Sequence, residues 1–61
     1  MSNKQANRHF HIARGSAAEA ITQIIIAHEV GYVTKDQQDY FVDGFEHVSS
    51  MLNKLISTRK L

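Results

Sequence analysis

The sequence has no cysteine and no proline among its 61 residues. Without cysteine the chain can form neither disulfides nor thiolate metal sites. A chain this short buries only about 60% of the surface that its unfolded form exposes, so it usually needs disulfides, a metal or a partner chain for stability. Because disulfides are excluded and no cofactor is expected, we predict a homo-oligomer.

Long hydrophobic segments are also absent. The longest wholly apolar run, Ile24 to Ala27, is far shorter than the roughly 18 residues of a membrane span. The first five residues carry no apolar segment of a secretory signal. We therefore expect a cytoplasmic protein with no membrane partner, and the formal net charge of +1 by itself favours neither nucleic acid nor membrane.

Only one internal site has the signals that end one helix and begin another. Gly31 suits the residue after a helix, and Thr34 with Gln37 matches a capping box, as Ser2 with Gln5 does at the amino end. These signals predict one all-α domain over residues 1–61, with helices at about 3–30 and 35–59. The short turn makes them an antiparallel hairpin.

Both predicted helices carry more apolar surface than one partner can cover. In the second predicted helix, apolar residues are spaced 4, 3, 4 and 3 positions apart, at Phe41, Phe45, Val48, Leu52 and Leu55, and they are flanked by Tyr40, Val42, Met51 and Ile56. The first predicted helix has a stripe made mostly of alanine, with Ala18 beside it. A lone hairpin would expose part of these stripes, which favours a two-fold dimer forming a four-helix bundle, with larger rings left open. The predicted oligomer interface comprises Phe10, Ala13, Ala17, Ala20, Ile21, Ile24, Ile25, Phe41, Phe45, Val48, Leu52 and Leu55.

Gly15 and Ser16 are unfavourable residues in the interior of the first predicted helix; glycine costs about 1 kcal/mol there relative to alanine. Close approach by a neighbouring helix at Gly15, with the Ser16 hydroxyl bonded to a carbonyl one turn earlier, is the interpretation we favour. A phosphate held by Arg14 and Ser16 is less favoured, because backbone N–H groups inside a helix are already used. We expect Arg14 to reach either Glu19 of a partner or an external anion.

The residues that could carry catalysis or bind metal do not converge. Glu19 is expected either in a surface salt bridge or buried with Arg14 or Lys54, and no second acid or base is predicted beside it, so we expect no enzyme. The histidines lack the i, i+4 spacing of a helical metal site, and we predict no metal. His28 is predicted to be half-buried in the core or an interface.

The charges separate along the hairpin. The end that holds the termini carries +5 and the turn half −4. Acids early and bases late in the second helix match its dipole, but Lys4 and Arg8 lie at the positive end of the first, which suggests an external anion such as RNA or DNA backbone. The candidate nucleic-acid-binding residues are Lys4, Arg8, Arg14, Lys54, Arg59 and Lys60.

One segment has a recognisable pattern: Phe10, the run Ile12-Ala13-Arg14-Gly15-Ser16, Glu19, Thr22-Gln23, Ala27 and Gly31-Tyr32. It resembles the third helix of the four-helix bundle family associated with intervening sequences in large-subunit rRNA genes, and "VSSMLNKLISTRK" resembles that family's last helix. The usual first two helices, the second with an Asn-Ile-Ala-Glu-Gly-like segment, have no counterpart here, so two hairpins would supply what one chain ordinarily does.

The resemblance implies a small helical bundle that often assembles into rings, without catalytic activity. One branch of the family serves as the accessory variability protein of diversity-generating retroelements, beside a reverse transcriptase. Two functions follow as hypotheses. The first is a non-enzymatic structural or protein-interaction module, and the alternative is an accessory protein that binds RNA or DNA backbone through its basic end.

Overall fold

The computed structural model describes residues 2–58, which form two helices and a short turn. Helix α1 spans Asn3–Glu29 and helix α2 spans Lys35–Thr58, close to the predicted bounds. The hairpin measures 44 × 14 × 13 Å, so the two helices lie side by side over most of their length. Neither helix has an apolar stretch long enough to cross a membrane.

Both predicted capping boxes are present. At the start of α1 the Gln5 N–H donates to Ser2 Oγ at 3.1 Å, and the Ser2 N–H donates to Gln5 Oε1 at 3.0 Å. Before α2 the Gln37 N–H donates to Thr34 Oγ1 at 3.1 Å and the Thr34 N–H to Gln37 Oε1 at 2.9 Å. Each box satisfies two backbone donors that the helix itself leaves unpaired.

Gly31 ends α1 as predicted. Its φ of 86° lies in the left-handed region, where a Cβ is unfavourable. The Tyr32 N–H donates to Ala27 O at 2.8 Å and the Gly31 N–H donates to His28 O at 3.0 Å, which together form a Schellman motif. This motif reverses the chain within five residues and fixes the antiparallel pairing.

The surface between α1 and α2 differs from the predicted stripe on α2. Ile56 is the most buried residue of α2, with 7% of its surface exposed, whereas Phe41, Val48 and Leu55 retain 43%, 44% and 37%. The side of α2 that packs on α1 therefore lies about 60°, a sixth of a turn, from the predicted centre. Its half-buried members are Gln38, Val42, Phe45, Ser49 and Leu52.

Small residues of α1 fill the other half of this contact. Ala6 and Ala17 retain 7% and 5% of their exposure. Ala17 was predicted in the apolar stripe, and Ala6 extends the stripe by a further turn. Alanine allows the two helix axes to approach more closely than leucine would, so α2 packs along α1 with little side-chain volume between them.

The hairpin by itself has almost no interior. Among residues 2–58 the buried apolar side chains are Ala6, Ala17 and Ile56, and no large side chain is fully enclosed. The chain exposes 4776 Å². A compact monomer of 6.9 kDa exposes about 4,000 Å², so the hairpin carries an excess of about 800 Å².

Replacing Gly31 with alanine should lower the free energy of unfolding by about 1–2 kcal/mol, because the new Cβ would occupy a left-handed conformation. Chemical denaturation followed by circular dichroism measures the change. Gly15→Ala is the matched control: it lies inside α1 with no atom within 4 Å of the added Cβ, so it should raise stability by about 1 kcal/mol.

A Gly31→Ala variant as stable as the parent would contradict the role assigned to the turn. Loss of stability in Gly15→Ala would show instead that a helix of another molecule approaches Gly15 closely, since α2 does not.

Candidate self-association surface and basic end

One side of α2 is apolar but uncovered. Phe41, Val48 and Leu55 recur every seven residues, and Met51 between the last two is 51% exposed. Residues seven apart lie on one stripe of a helix, so these side chains form a continuous ridge along α2. Soluble monomers rarely expose large contiguous apolar patches, so a ridge of this kind is typical of an interaction surface.

A row of alanines on α1 runs beside that ridge. Arg14 Nη1 donates to Asn53 Oδ1 at 2.7 Å, which sets the register between the antiparallel helices. By this register Ala13, Ala20 and Ala27 of α1 lie about level with Leu55, Val48 and Phe41 of α2. Each level thus holds one small and one large apolar residue, and we call these six residues the apolar face.

The two rows lie on the same side of the hairpin. At about 100° per residue, the alanine row lies roughly 100–140° around α1 from Arg14, and the large residues lie roughly 120–160° around α2 from Asn53. Arg14 and Asn53 mark one side of the hairpin by their hydrogen bond. The apolar face is therefore the opposite side, free of that polar link.

A groove indents the apolar face near the turn. It has a volume of about 590 Å³ and lies between Tyr40, Phe41, His47 and Val48. Gly44 forms its floor, with no atom within 4 Å of the position of a Cβ. The Tyr40 and Phe41 rings meet edge to face at 5.5 Å along one wall of this groove.

The structure divides the predicted interface residues into two groups. Ala17 is covered by α2, and Phe10, Phe45 and Leu52 are half-buried along the contact within the hairpin. The hairpin itself accounts for much of their apolar surface. Ala20, Ile21 and Ile24 are half-buried as well, and the exposed members of the predicted interface are Ala13, Ile25, Phe41, Val48 and Leu55.

At the end of the hairpin that holds the termini, three of the predicted nucleic-acid-binding residues are exposed: Lys4, Arg8 and Lys54. Lys4 and Arg8 lie in the first two turns of α1, at the positive end of the helix dipole, as expected. The first turn contains no acidic residue that would offset their charge. Arg59 and Lys60 lie outside the described residues.

Arg14 is engaged inside the hairpin. Besides its bond to Asn53, its Nη2 donates to His11 Nδ1 at 2.9 Å, and the side chain is half-buried. Neither expected partner, Glu19 of another molecule nor an external anion, is needed to satisfy these two donors. Sequence reasoning overlooked Asn53, although the antiparallel register already places it level with Arg14.

The other candidate residues stay apart. Glu19 is exposed, and Ser16 is exposed as well; it is the Thr22 hydroxyl that donates to the carbonyl one turn earlier, Ala18 O, at 3.3 Å. His28 is half-buried, as predicted. Within residues 2–58 no three histidine or acidic side chains lie close enough to hold a metal ion.

The turn half of the hairpin is acidic. Lys35 Nζ lies 2.5 Å from Asp39 Oδ1 in an exposed pair, the one ion pair within the described range. Exposed acids elsewhere in this half are Glu29, Asp36, Asp43 and Glu46. Asp36 in the first turn of α2 fits the dipole; Lys54 lies near the other end, and the predicted terminal bases Arg59 and Lys60 lie outside the described residues.

Comparison with known proteins places this hairpin in a family. The 23S rRNA-intervening sequence protein family matches residues 1–54, nearly the whole chain and both helices. No curated protein and no solved structure matches it. The match covers the motif around Arg14 and the greater part of α2, as the sequence resemblance indicated. The chain therefore belongs to the 23S rRNA-intervening sequence protein family.

Proposed function

We propose that this chain is a non-enzymatic structural module that pairs with a second copy through the apolar face to form a four-helix bundle. The observation that carries the proposal is the uncovered ridge of Phe41, Val48 and Leu55 beside the alanine row. A second hairpin brings the two helices that each apolar face needs to become a core.

The exposed area supports a partner of this size. The excess of about 800 Å² over a compact monomer is close to the roughly 800 Å² that each partner contributes to a standard interface. At about 25 cal/mol per Å² of apolar surface removed from water, covering the ridge adds stability that the hairpin alone lacks. An interface of copies also needs no disulfide, which the sequence does not provide.

The mass in solution tests this proposal. Light scattering coupled to size exclusion should give twice the 6.9 kDa chain mass or a larger multiple, unchanged over a range of concentration. Val48→Asp should reduce it to the chain mass, because an unpaired carboxylate at the centre of the interface is costly to bury.

Ile26→Asp is the matched control for Val48→Asp. Ile26 is also β-branched and more exposed, at 54%, but lies on the side of α1 away from α2 and outside the apolar face. We expect this variant to keep the parent mass. A parent that is a stable folded monomer, or equal loss of mass in both variants, would contradict the proposed interface.

A second function, binding of RNA or DNA backbone, is favoured by one observation. Lys4 and Arg8 are exposed against the dipole of α1, where their charge does not stabilise the helix. With three phenylalanines and two tyrosines in the whole chain, and Phe45 packed toward α1, binding would depend on phosphate contacts and be insensitive to base sequence.

Substituting Lys4, Arg8 and Arg59 together with glutamine should abolish retention on RNA or DNA columns at low salt. Co-purifying absorbance at 260 nm should also disappear from the parent protein at high salt, because released counterions drive such binding. Lys35→Gln, at the turn end, is the control and should leave retention unchanged. Equal retention by the triple variant and the parent would refute nucleic-acid binding at the basic end.

A further inference from the structure

The apolar face admits two arrangements of a pair of hairpins, and they differ in where the two turns lie. A two-fold axis along the helices places both turns at one end of the bundle. An axis across the helices places the turns at opposite ends. In either arrangement neighbouring helices run antiparallel, so the helix dipoles do not decide between them.

We propose that the two copies pair with their turns at opposite ends, so that the acidic turn half of one lies beside the basic terminal end of the other. The inference rests on the proposed self-association and adds its orientation. It depends on the uneven distribution of charge along a hairpin 44 Å long.

The charges at the two ends are opposite and well separated. Lys4, Arg8 and Lys54 are exposed toward the termini, while Glu29 and Asp43 are exposed toward the turn. Over the full sequence the two halves carry +5 and −4. With both turns at one end, the two ends of the bundle would carry about +10 and −8. These ends lie much farther apart than the Debye length of about 10 Å, so attraction between them would not offset the repulsion within each end.

Opposite orientation places unlike charges together at both ends. These charged residues lie about 120–180° around their helices from the apolar face, on the outer sides of the hairpins, so they act through the net charge of each end. Long-range charge of this kind can select the orientation of a partner even where it contributes little affinity. The apolar face does not oppose this choice. A two-fold axis across the helices at the level of Ala20 and Val48 places the alanine rows of the two copies against each other, where the helices can approach closely. It also places the two ridges against each other, with Val48 facing Val48 of the second copy.

The distance between the two turns tests the orientation directly. Because the chain has no cysteine, Tyr32→Cys introduces a single site for a spin label, at a turn residue that is 84% exposed. Double electron–electron resonance on the labelled full chain should give a distance of about 40 Å, close to the length of the hairpin. Turns at the same end would give about 20 Å or less, two helix diameters.

A second label at the middle of α1, in Glu19→Cys, separates the two claims. Glu19 is exposed and near the midpoint of the hairpin, so both orientations give a distance well below the hairpin length. A short Tyr32 distance with a short Glu19 distance would overturn the orientation and leave self-association standing. Absence of any dipolar coupling from both labels would refute self-association itself.

Charge reversal shows whether electrostatics is the cause. Glu29→Lys with Asp43→Lys changes the turn half from −4 to 0 without touching the apolar face. We expect a population at the short Tyr32 distance to appear in this variant. A distribution that stays entirely at the long distance would refute charge as the determinant of orientation.

Discussion

The shortage of apolar surface that a 61-residue hairpin can bury on its own determines most of its other properties. Two helices in contact along one line cover Ala6, Ala17 and Ile56 and half-cover a few neighbours. Backbone and side-chain ordering costs roughly 1.5 kcal/mol per residue, and such a thin contact cannot offset this cost. Under the proposed self-association, covering the apolar face supplies the burial that the hairpin lacks.

Local signals account for the shape of the hairpin independently of that requirement. The two capping boxes and the left-handed Gly31 fix where each helix begins and ends, and the bond from Arg14 to Asn53 sets their register. The register then places small and large residues level with each other on one side. The polar link lies on the other side, so this face is suited to a symmetric, self-complementary interface.

The sequence was sufficient to predict the helices and the turn, because caps and a positive-φ glycine act through neighbours a few residues apart. The motif around Arg14 was sufficient to predict the family. It was not sufficient for the centre of the α2 contact, where Ile56 is buried and Phe41 is exposed. Both stripes of α2 are apolar, and periodicity alone cannot tell which of two adjacent stripes packs on the partner within the chain.

Periodicity also could not predict the hydrogen-bond partners of Arg14. Its partners, His11 and Asn53, combine a neighbour one turn away with one 39 residues along the chain, and the second depends on exact register. Arg14 remains part of the positive charge of the basic end, with two of its donors used within the hairpin. Lys4, Arg8 and Lys54 remain its exposed described members.

We infer that folding of the hairpin depends on a second copy. Thermal unfolding followed by circular dichroism over a hundredfold range of protein concentration tests it most directly, since association stabilises a fold by mass action. We expect a midpoint that rises steadily with concentration. A midpoint that does not change with concentration, with a single cooperative transition of a monomer, would contradict it.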